Sequence, residues 1–175
     1  MASSYLPPAA PRSSVYASVI TVLLLLVAVS AQSAWAPWLR LRGQVPELTL
    51  ALVLSIGLTT GGLWGLVSGF LGAFLWASVT GLPMGNLFVS YMALGFLAGA
   101  MRGRMFSDRI LLAMIVIAAG VILAAVINLL LAPPPSPQAW ISAVFARAAF
   151  TALLAVPLYS LMRYLSRYYP EPEDL

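Results

Sequence analysis

Apolar residues in this chain do not alternate with polar ones at the helical or the strand period; they run in long blocks broken by short polar stretches. A helix crossing about 30 Å of hydrocarbon uses about 20 residues. At that length the blocks predict six spans, over residues 15–36, 46–58, 62–79, 87–101, 109–132 and 139–165. Pro37 ends the first, and Pro133, Pro134 and Pro135 stop the fifth. The apolar run 48–79 would reach about 48 Å as one helix, so it has to fold back. Thr59-Thr60-Gly61-Gly62 is the expected turn, since Gly permits positive φ and Thr is a poor interior helix residue. Span two is then short, and is expected inside the bundle or covered by a neighbour. A second turn is expected over residues 80–86, where Gly81, Pro83 and Gly85 lie. The predicted fold is an all-α integral membrane protein, a bundle of about six transmembrane helices over residues 15–165. Segment 1–14 precedes it and tail 166–175 follows. Arg12, an apolar core and small residues at Ser30 and Ala31 also give the first block features of a cleavable signal peptide; it is taken as a span.

Composition sharpens this picture. Of 175 residues, 62% are hydrophobic and 8% charged, against about 25% charged in soluble domains. A water-facing surface could not be covered. Cysteine and histidine are absent, which excludes disulfides, Cys/His metal sites and Cys or His catalysis. The net charge of +4 comes from Arg residues at the ends of apolar runs, which suits lipid headgroups better than nucleic acid. Six spans would place Arg12, Arg102, Arg104, Arg109, Arg163 and Arg167 on one side and Arg40 and Arg42 on the other. Positive residues mark the cytoplasmic face, so both termini are expected inside. Tyr159, Tyr164, Tyr168 and Tyr169 would form an inner aromatic belt, and Trp35, Trp38 and Trp140 an outer one.

Few residues offer chemistry. The glycine-dense stretch from Gly57 to Gly72 lacks the Lys of a phosphate-binding loop, for the chain has no lysine. It also lacks the G-x-G-x-x-G fingerprint of dinucleotide sites. Gly61, Gly65 and Gly69 lie four apart, Gly72 stays on the same face, and Gly95, Gly99 and Gly103 repeat the spacing. Small-xxx-small faces let helix backbones approach closely. The partner is either another helix of this bundle or a helix of another protein. Arg147 is the charge placed well inside a predicted span, and such a charge is costly by about 2.5–3.5 kcal/mol on insertion scales. It either snorkels to the outer interface or meets a polar neighbour, for which Asn128 is the expected one. The acids Glu47, Asp108, Glu171, Glu173 and Asp174 lie at span ends or in the tail, so neither acid/base catalysis nor a proton relay is expected.

The stretch 46–106 carries a family pattern. It has PE before a short apolar helix, then G-x-x-x-G-F-x-G, a turn of the form T-G-x-P-x-G, and a span ending G-x-x-A-G-x-x-R. In this order the motifs resemble MreD, the small membrane subunit of the bacterial rod-shape (elongation) machinery. The resemblance covers about a third of the chain. The family usually places an acid a few residues before the turn, where this chain has Ala77; any role of that acid does not carry over. The resemblance implies a non-enzymatic scaffold without a cofactor. Its partner would be an MreC-like single-span protein and, through it, a RodA-type glycosyltransferase, its transpeptidase and MreB, in support of peptidoglycan synthesis. It also implies a fold similar to the S components of energy-coupling-factor transporters. An S component is the alternative function. Those proteins dock through A-x-x-x-A in the first span, whereas here Ala28 is followed four on by Gln32 and Ala31 by Trp35. Ser30 and Ala34 give a loose small pair only.

Overall fold

A computed structural model describes residues 14–34, 38, 44–81, 84–102, 110–131 and 137–169. Pro83 and Gly103, the basic loop 104–109, Arg12 and the acidic tail lie outside the described residues. The described chain forms six α-helices: α1 (Ser14–Ala34), α2 (Leu48–Thr60), α3 (Gly62–Thr80), α4 (Met84–Ala100), α5 (Ile110–Leu131) and α6 (Pro137–Leu165). A single 3₁₀ turn, Ser166–Tyr168, follows α6. Four helices, α1, α3, α5 and α6, are long and apolar enough to cross a membrane; α2 and α4 are shorter apolar helices. This is the make-up of a multi-pass helical membrane protein. By helical rise α2 is only about 20 Å long and α4 about 26 Å.

The short helix is the centre of the molecule. Every residue of α2 from Thr49 to Leu58 is buried, and it packs against α1, α3, α4, α5 and α6. Its sequence, LTLALVLSIGL, is apolar on all faces, as a helix surrounded by others requires. In lipid such burial gains little from the hydrophobic effect, because acyl chains are as apolar as leucine; the gain is close packing. The long helices instead leave large apolar side chains exposed, among them Leu23 and Val27 on α1 and Leu111 and Ile115 on α5.

Both turns differ from expectation in where the helices stop. Thr59 and Thr60 belong to α2 rather than to the turn. Their hydroxyls donate back to carbonyls of the same helix, Thr59 to Ser55 O at 2.8 Å and Thr60 to Ile56 O at 2.6 Å. In a dry interior that bond satisfies the hydroxyl without ending the helix, which offsets the weak helix propensity of threonine. The turn is Gly61 alone, at φ 111°, with its N–H still donating to Gly57 O at 2.9 Å. Helix α3 ends at Gly81, whose φ of 67° is left-handed and whose N–H donates to Ala77 O. Ala77, one turn before it, is 2% exposed. Helix α4 begins at Met84, so Gly85 and Asn86 lie in its first turn rather than in the loop.

Candidate functional site

The glycines come together between α2, α3 and α4. A side-chain carbon added at Gly65 would collide with the Gly95 carbonyl, and one at Gly95 with that of Gly65. One at Gly69 would meet the Tyr91 carbonyl, and one at Gly99 the backbone of Gly61 and Gly62. Gly57, which the spacing pattern did not include, completes the seam: a carbon there would lie 2.5 Å from Gly95 O. Gly72 turns away from α4 and would meet Val53, Leu25 and Thr49 instead. Gly120 of α5 faces Leu54 across α2. Gly85 has nothing within 4 Å. The seam is therefore backbone on backbone, inside one chain.

Helix α2 starts and ends inside the bundle, so its free backbone groups need partners from elsewhere. Glu47 occupies its N-cap position without capping through its side chain. The Glu47 N–H donates instead to Thr151 Oγ1 of α6 at 3.0 Å, and the Thr49 N–H to Gln32 Oε1 of α1 at 2.8 Å. The Thr49 hydroxyl donates to the same Gln32 oxygen, also at 2.8 Å. At the other end Arg102 donates to the Thr60 carbonyl at 3.0 Å.

Arg147 meets polar neighbours, but not the expected one. Its Nη1 donates to Glu47 Oε1 at 2.9 Å and its Nη2 to Gln44 Oε1 at 3.1 Å, while Asn128 is not among its bonded partners. The reason is depth. Arg147 lies ten residues into α6, about 15 Å along its axis. A short α2 begins well below the ends of the long helices, so a residue at its first turn stands level with the middle of α6. Glu47 is at a helix end without being at the surface. The pair is partly exposed, at 36% for Arg147 and 21% for Glu47, and Arg147 Nε is buried without a partner.

The opposite end is closed by Tyr169, 2% exposed, which leaves the inner-belt expectation for it unmet. The ring stands edge-on to Trp64 of α3 at 5.1 Å and 88°, and its hydroxyl shares a 2.8 Å hydrogen bond with Thr21 of α1. Tyr159 is also buried, whereas Tyr164 is exposed, as a belt residue would be. Burial pushes the Tyr169 phenol above its ordinary value, and the Thr21 bond offsets part of that. A phenol held neutral in the fold contributes stability that is fully present below about pH 10, the unfolded value, and is lost as pH rises through the folded one. Tyr169→Phe should lower stability by about 1 kcal/mol at neutral pH, through the lost hydrogen bond. The difference between the melting temperatures of the two proteins should shrink above pH 10. A difference that is constant from pH 8 to 11 would show the hydroxyl to be solvated.

Between α4 and α5 lies an apolar cavity of about 590 Å³, floored by Leu54 and walled by Leu94, Leu97, Ala98, Ala119 and Gly120. Nothing in the apolar pattern of the chain marked it, because its walls are the same residue types as any lipid-facing surface. Gln32, Gln44, Glu47, Thr151 and Tyr169 were likewise missed as contacts. A signal did exist for Gln32, an amide inside an apolar block, where it needs a partner. Comparison with family models, curated proteins and solved structures gives no match to this chain.

Proposed function

We infer that this chain is a non-catalytic membrane scaffold of the MreD type, crossing the bacterial inner membrane six times with both termini in the cytoplasm. The observation that carries this reading is where the family-like stretch falls. Its PE opens the central helix, its Gly65, Gly69, Gly95 and Gly99 lie in the α2–α3–α4 seam, and its arginine, Arg102, ties the far end of that helix. These motif residues help hold the core together, and the exposed apolar faces of α1 and α5 are left for lipid and for a single-span, MreC-like partner. Crossing by the shorter α2 is reasonable because the helices around it bury its length and its end groups are bonded.

The S-component alternative has less support. The polar side chains at the Glu47 end bond one another, Arg147 to Glu47 and Gln44, and Gln32 to Thr49. A vitamin site would want such groups converging on an open cavity.

Complementation tests the reading. Expression in a rod-shaped bacterium deleted for its own MreD should restore rods, and the chain should co-purify in mild detergent with the MreC of its own source. Round cells at normal protein abundance, with no MreC recovered, would overturn it. Topology is checked separately with Trp38→Cys and Ser166→Cys, since the native chain has no cysteine. A membrane-impermeant thiol reagent on intact spheroplasts should label position 38 and not 166. The reverse pattern would invert the topology.

A further inference from the structure

Helix α6 carries a proline, Pro157, in its interior. A proline has no N–H, so the Leu153 carbonyl loses the bond that residue 157 would otherwise give it. Residues four apart share a helix face, and this face looks outward: Leu153 is 61% exposed, and Pro157 is exposed with it. We propose that this carbonyl marks the seat of a partner's membrane-spanning helix, one that brings a hydroxyl or amide donor at the middle of its span. The proposal rests on the scaffold reading for the identity of the partner, and adds the face and the chemistry of the contact.

Depth turns the carbonyl from a kink into a site. Leu153 lies near the centre of the apolar segment Trp140–Leu165, about 18–20 Å from either end by helical rise. Headgroups do not reach that level, acyl chains have no donor, and water is scarce. A backbone group without a partner is costly there, and a proline in a membrane helix is tolerated because neighbours supply the missing bond. Two hydroxyls of α6 close to the break are engaged elsewhere. Ser160 donates to Val156 O at 2.9 Å. Thr151 is buried on the inward side, where it accepts the Glu47 amide.

Complementarity then selects the occupant. The break offers an acceptor, so a second copy of this chain laid α6 against α6 would set carbonyl against carbonyl. A helix of another protein with Ser, Thr, Asn or Gln at mid-span meets the need, and such side chains bond across helices in lipid. Ala149, one turn before Leu153, is exposed as well and is small enough to let a partner come near. The exposed faces of α1 and α5 lie on helices without a proline. Their backbone ladders are intact, and lipid alone satisfies them.

The test uses the full chain co-expressed with the MreC of its own source and purified in mild detergent. A photo-crosslinking residue in place of Leu153 should join the two proteins, whereas the same residue in place of Leu23 on α1 or Ile115 on α5 should not. Pro157→Ala returns an N–H to the ladder. It should leave abundance and melting temperature at least as high as in wild type, yet weaken MreC binding by about three- to tenfold. Replacing the mid-span polar residue of MreC with alanine should weaken binding to wild type by the same factor and leave binding to Pro157→Ala unchanged. Equal affinity of wild type and Pro157→Ala, or cross-links from Leu23 or Ile115 in place of Leu153, would overturn the proposal and leave the scaffold reading standing. Cross-links from Leu153 between two copies of this chain would also overturn it, by making the occupant a second copy. A wild-type chain that holds no MreC at all would overturn the scaffold reading and this proposal with it.

Discussion

Gly65→Ala should leave little folded protein, although it adds one methyl group. The added carbon would have to occupy the place of the Gly95 carbonyl, and a carbonyl held in the ladder of a buried helix cannot step aside as a side-chain tip would. Overpacking usually costs about 1–3 kcal/mol; backbone against backbone belongs at the top of that range or beyond, because relief means separating α3 from α4. Those two helices form the most extensive pairing in the bundle. Gly95→Ala should fail in the same way from the other side. The control is Gly85→Ala, where nothing lies within 4 Å and the higher helix propensity of alanine, worth up to about 1 kcal/mol, is gained without a clash. Melting temperatures in detergent and the amount inserted in the membrane are the measurements. Equal behaviour of Gly65→Ala and Gly85→Ala would mean that α3 and α4 do not touch at this seam.

The second large effect is at Arg147. Arg147→Leu leaves the Glu47 carboxylate charged and without its counter-ion in a place that water reaches only partly. Orphaning a fully buried charge costs about 3–5 kcal/mol; with the two side chains 36% and 21% exposed, about 2 kcal/mol is expected. Arg147→Lys should cost about half as much, since an ammonium can still meet Glu47 while the second bond, to Gln44, is lost. The double variant Glu47→Leu/Arg147→Leu should recover much of the stability lost in Arg147→Leu, because no charge is left behind. A thermal double-mutant cycle decides the matter. If the two single losses simply add, Arg147 and Glu47 are not partners.

The sequence made the helices legible, since a block of apolar residues in a chain this poor in charge can be little else. It also made legible that 46–58 is too short to stand alone. What it hid was depth. Arg147 was visible as a buried charge, but its distance from the end of its own helix says nothing about the level at which a shorter neighbour starts. Asn128 therefore looked like its companion, and Glu47 looked like a surface acid. The helix ends were hidden for a related reason: Thr59 and Thr60 read as breakers by propensity, and only their bonds to Ser55 and Ile56 O make them the last turn of α2. The glycine spacing gave a face but not its partner. Gly72 shares that face in sequence, yet reaches α1 and α2 in the fold.

The way α2 is tied has a consequence for how the protein is made. Its second residue, Thr49, is bonded by Gln32, which is synthesised before it, but the Glu47 amide depends on Thr151, 104 residues later. Arg147, the counter-ion of Glu47, arrives equally late. From the moment α2 leaves the ribosome until α6 is in place, its Glu47 end carries an unbonded amide and an unpaired carboxylate. Neither can rest in hydrocarbon. During that interval this segment has to stay near water or against the insertion machinery, and α6 is the helix that releases it into the centre of the bundle.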